Sequence, residues 1–128
     1  MESFRNCGWP AFAALGMGSL ALVAGIVALA LALIKPRVGL VVAVLAAAVS
    51  LGPAGIGFLG MLWGRQQVDT ILASGVVEAT ETERIRAAGY DEAAQCIPVG
   101  ATISAVPVLL AGVALALALV RKKNEGNA

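Results

Sequence analysis

A chain of 128 residues that is 59% hydrophobic, 13% charged and free of histidine is not an ordinary soluble domain, which carries about 25% charged residues. The missing imidazole removes the commonest general base and metal ligand; the net charge is only +1, and no nucleic-acid partner is expected. Three uncharged runs, 8–34, 38–64 and 97–120, each exceed the roughly 18 residues that mark a membrane-spanning helix. The expectation is an all-α fold: a three-helix transmembrane bundle forming one polytopic domain over 1–128. Its spans lie at about 10–34, 38–64 and 97–120, and a short helical extramembrane segment covers 65–95.

Met1 to Asn6 is a short polar lead, followed by Cys7. The first span begins near Pro10, a residue tolerated in a first helical turn, and ends before Pro36. Its uncharged run is too long for a signal-peptide core, and its cations follow it rather than precede it, so it is expected to be retained. Ala14, Gly18, Ala21, Gly25, Ala28 and Ala32 recur at steps of 4, 3, 4, 3 and 4. That 3.5-residue period is the seam of a left-handed helix pair, built here from small side chains.

Lys35 and Arg37 bracket Pro36 in the link to the second span. Gly39, Ala43, Ala46, Ser50, Pro53, Gly57, Gly60 and Gly64 repeat the same spacing. Five of the chain's 15 glycines fall within 50–64, a density that a membrane helix tolerates because glycine lets a second backbone approach closely. Pro53 removes a backbone donor and predicts a kink.

Segment 65–95 holds Asp69, Glu78, Glu81, Glu83, Asp91 and Glu92 against Arg65, Arg84 and Arg86. The second helix is expected to run on to Ala73 and stop at Gly75. Thr80-Glu-Thr-Glu83 reads as a capping box for a short helix that ends at Gly89, with Asp91 capping the third span. There Gly100, Ser104, Pro107, Ala111, Ala114 and Ala118 form a third small-residue stripe, followed by Arg121, Lys122 and Lys123.

The basic residues at Lys35–Arg37 and after Val120 predict a cytoplasmic C-terminus, and three spans then put the N-terminus and the acidic segment outside. Trp9, Trp63 and Tyr90 fall at that outer boundary. So do Cys7 and Cys96, which are either bridged in an oxidising compartment or two small apolar residues that remain reduced.

No span contains an ionisable residue, the usual mark of a transport path. The polar candidates are Ser19, Ser50, Thr102 and Ser104, which line a pore or bond back to their own helices. No catalytic, cofactor or metal constellation is present, and no enzyme activity is expected.

Gly57-Phe-Leu-Gly-Met-Leu-Trp-Gly64, with Pro53 upstream, resembles the second-helix signature G-L-x-G-T-V-x-G of the MotA/TolQ/ExbB proton-channel family. Gly89-Tyr-Asp-Glu-Ala93 resembles that family's G-[IL]-x-E-A, and Gly100 and Pro107 lie close to the glycine and proline of its third helix. The resemblance covers about Ser50 to Val108. Met61 and Ile97 stand where the family has threonines, and Lys35-Pro-Arg37 replaces its large cytoplasmic insertion. The resemblance implies a ring in the bacterial inner membrane around a single-span partner that carries an intramembrane aspartate. Gly57, Gly60, Gly64, Gly100 and Pro107 are the expected helix-packing residues, and Ser50, Thr102 and Ser104 are the polar candidates for facing a pore. The alternative is a non-conducting structural subunit packed, as a homo-oligomer or otherwise, into a larger membrane complex.

Overall fold

A computed structural model describes residues Met1–Ala128. Six helices follow in order: α1 (Glu2–Cys7), α2 (Trp9–Ile34), α3 (Pro36–Ser50), α4 (Gly52–Ala73), α5 (Thr82–Ala94) and α6 (Cys96–Asn127). They combine into three rods long and apolar enough to cross a membrane, Trp9–Ile34, Pro36–Ala73 and Thr82–Asn127. α2 packs against both α3 and α6, while α4 lies against α6, α2 and α5.

The junctions follow from local chemistry. Gly8 takes φ +69° and swings the chain from α1 into α2, a conformation that glycine adopts without a Cβ clash. Pro10 then occupies the first turn of α2. At the far end the Lys35 amide closes on the Leu31 carbonyl at 2.7 Å, and Pro36 opens α3. A single residue therefore links two long helices. Close packing holds the hairpin: a methyl group on Gly39 would lie 2.5 Å from the Ala32 Cα.

At the kink expected near Pro53 the helix is interrupted for one residue, Leu51, whose backbone stays in the helical region. The helix stops at Ser50, Leu51 bridges, and Pro53 sits in the first turn of α4. Proline has no amide proton and its ring crowds the carbonyl four residues back, so the hydrogen-bond ladder cannot continue. It resumes at Gly55, whose amide donates to Leu51 O at 3.1 Å.

Packing inverts the order of a soluble globule. Every member of the first and third stripes is buried, and so is the second from Gly39 through Gly60, with Gly64 half-buried. The largest fully buried side chains are Pro10, Pro53, Cys96 and Ser50. A cluster of Ala28, Ala43, Ala46, Ala111 and Ala114 fills the junction of α2, α3 and α6. Large aliphatics point outward instead: Leu20, Leu59 and Leu109 are each more than 60% exposed. Apolar surface of this extent suits hydrocarbon rather than water, and the three apolar rods fit an integral membrane protein.

The polar lead is helical as α1, and three local expectations are corrected. The capping box is not made: α5 begins at Thr82 without a side-chain cap, and the Thr82 hydroxyl donates backward to Glu78 O at 3.1 Å. Gly89 does not end α5, which runs on to Ala94. Glycine is there for proximity, since a methyl group would lie 2.6 Å from Val68 Cγ2 of α4. Asp91 consequently lies within α5, and Gln95 separates α5 from α6. Gly75, at φ +74°, follows the end of α4 as a left-handed terminator.

Candidate functional site

The intramembrane hydroxyls all have backbone partners within the chain. Ser50 Oγ donates to Ala47 O at 2.7 Å, Thr102 Oγ1 to Pro98 O at 2.7 Å, and Ser19 Oγ to Leu15 O at 2.9 Å. Ser104 has a different task. Its oxygen accepts the Ala54 amide at 3.0 Å, supplying from α6 the acceptor that the break before Pro53 takes from α4. Ser50 and Ser104 are buried, whereas Thr102 lies on the outer surface of α6. The sequence signalled the break through Pro53 but carried no sign of which side chain would serve it, 50 residues away.

Next to this repair, α4 and α6 pack backbone to backbone. A methyl group on Gly57 would lie 2.5 Å from Cys96 O and 3.1 Å from the Gly100 Cα, and one on Gly100 would collide with Pro53 O. One on Gly60 would meet Pro10 at 2.9 Å, and one on Gly64 would meet Ala93 Cβ at 2.8 Å. Gly57, Gly60, Gly64 and Gly100 thus form one contact line within a single chain. Pro107 is buried on the same seam of α6.

At the end bearing α1, Cys7 and Cys96 form a disulfide across 89 residues, with Cα atoms 4.9 Å apart. Both are buried, together with Ala11. Trp9 and Trp63 meet edge to face at 5.9 Å, and they flank an apolar crevice of about 550 Å³ between α2 and α4. Beyond them stands a polar group that joins α4 to α5. Tyr90 Oη donates to both Asp69 carboxylate oxygens, at 2.6 and 2.8 Å. Arg86 approaches the same carboxylate at 3.9 Å, and the Arg65 guanidinium lies over the Tyr90 ring at 5.2 Å. The hydrogen bond to Asp69, then partial desolvation and that carboxylate's charge, raise the Tyr90 pKa above its usual value, and Arg86 and Arg65 oppose the shift.

The opposite end differs in kind. Lys35, Arg37, Arg121, Lys122 and Lys123 gather there with Glu125 alone of opposite sign. Arg121 Nη1 donates to Leu33 O and so joins α6 to the end of α2. The three ion pairs in the chain all belong to the α4–α5 region. Nowhere do three or more residues of metal-binding type gather as a site. Comparisons with family models, curated proteins and solved structures find no match to the chain.

Proposed function

We propose that the chain is a non-conducting structural subunit, a three-span rod bundle that packs into a larger membrane complex. The observation that carries this reading is the internal use of everything a conduction path would need. The small-residue seams close on one another within one chain, and the hydroxyls of the spans bond to backbone groups. No ionisable side chain lies in 8–34, 38–64 or 97–120, and such a residue is the usual mark of a proton path.

In the same reading the Cys7–Cys96 end faces the outside of a bacterial inner membrane and the basic end faces the cytoplasm. An oxidising compartment favours the disulfide, and the cation-rich link and C-terminus follow the positive-inside rule. Segment 65–95, with most of the chain's carboxylates, then stands in water.

A ring of the MotA/TolQ/ExbB kind around a single-span partner is the second reading. Gly16, Gly55 and Gly112 favour it, because they have open space before them on the outer surface and small outward residues suit contact between chains. Native mass of the detergent-extracted complex separates the two. One copy beside unrelated subunits, with no proton flux in proteoliposomes, is the expected result. Five copies conducting protons with a single-span partner would overturn the structural reading.

A further inference from the structure

We infer that the basic end of the bundle is a binding cleft for an anionic phospholipid of the leaflet it meets. Two grooves of about 270 and 400 Å³ lie at this end. They share Ile34, Pro36 and Glu125, so they adjoin as two parts of one cleft region beside the α2–α3 link. Lys35, Arg37 and Arg121 stand on its walls. None of the three has a carboxylate partner, although Glu125 lines the same cleft. Arg121 is held in place by its bond to Leu33 O, which leaves other guanidinium protons free, since the group carries five. With Lys122 and Lys123 beside it, this end carries five cations and one anion, a net of +4.

The surroundings identify the occupant. Ile34 is 73% exposed, and Leu33 and Val38 are about half exposed, so an aliphatic surface adjoins the charges where the apolar rods end. Unneutralised cations above exposed hydrocarbon match an amphiphile with an anionic head. A free phosphate would leave the aliphatic wall bare, and an acidic peptide would have to bury it beside a bilayer. Basic pockets between membrane helices hold anionic headgroups by this pairing of charge and depth. The cleft lies within one chain, so the inference is independent of the assembly the chain joins.

The test compares retention of phosphatidylglycerol and of phosphatidylcholine with the same acyl chains, by native mass spectrometry of the whole protein. Phosphatidylglycerol is expected to be retained preferentially, and less so as salt rises. Lys35→Gln, Arg37→Gln and Arg121→Gln should each lower its apparent affinity about fivefold. Arg84→Gln, at the opposite end, should leave it unchanged. If Arg121→Gln misfolds through loss of its bond to Leu33, the exposed Lys35 and Arg37 variants decide the question. Equal retention of both lipids, or retention that ignores these substitutions, overturns the inference. So does displacement of the lipid by millimolar inorganic phosphate, which would make the cleft a phosphate site instead.

Discussion

At the end of the bundle formed by α1, α5 and the C-terminal turns of α4, seven acidic and four basic residues are interleaved with cross-links. A disulfide, a tyrosine bonded to both oxygens of one carboxylate, and a guanidinium over an aromatic ring tie α1, α4, α5 and α6 together. At the other end five cations meet one glutamate, and the only side-chain tie is Arg121 to a backbone carbonyl. The reason lies in the connections. A one-residue link with Gly39 set against Ala32 fixes the α2–α3 turn at the basic end through backbone packing, which leaves most of its charges available to the surroundings. The stapled end carries a six-residue helix and a polar 13-residue one, lengths at which an isolated helix is marginal without tertiary support. Its cross-links provide that support.

The comparison breaks most directly at the disulfide. Replacing Cys7 and Cys96 with serine should cost about 2–4 kcal/mol, read as a lower unfolding midpoint in detergent with release of α1. An unchanged midpoint would mean that the acidic end needs no staple. Reduction of the unmodified protein should lower the midpoint in the same way.

Gly57→Leu tests the next level, the contact line beneath the staple. Overfilling it should cost about 1–3 kcal/mol, because the neighbours are the Cys96 carbonyl and the Gly100 backbone rather than side chains that can move. Gly55→Leu, two residues away in open space, should leave stability nearly unchanged. Equal effects at the two positions would dissolve the seam. Ser104→Ala should have a somewhat smaller effect, about 1–2 kcal/mol, by leaving the half-buried Ala54 amide without its acceptor. Thermal unfolding of the same detergent-solubilised protein measures all three.

These sites were unequally legible in the sequence. The stripes could be read because a 3.5-residue period of small residues needs no tertiary knowledge, and every residue so marked except the half-buried Gly64 is buried. The break at Leu51 could be read only as a kink, since a proline shows that a donor is missing but not how its neighbours respond. Ser104 looked like any membrane serine, and its partner lies 50 residues away. Gly89 misled for the same reason. Glycine is a helix terminator by local propensity, and only the presence of Val68 across the α4–α5 hairpin explains a glycine inside α5. The cysteines' positions allowed a bridge but could not supply the 4.9 Å Cα separation.

The mildest perturbation is a titration at the acidic end. Tyr90 is the chain's only tyrosine, so phenolate absorbance reports it alone. Its hydroxyl is a donor to Asp69 only while protonated, which is why its folded pKa is raised above the ordinary value near 10. A group whose folded pKa is raised stabilises the fold fully below its unfolded pKa. That contribution then fades as pH climbs through the folded value. The α4–α5 tie should therefore hold through neutral pH and weaken only in strong alkali. Asp69→Asn removes both the carboxylate acceptor and its charge while Arg65 and Arg86 stay to favour the phenolate. The Tyr90 titration should then move down, toward or below the ordinary value. An unmoved titration would mean that Asp69 does not govern this tyrosine, and the acidic end would lose its main polar tie between α4 and α5.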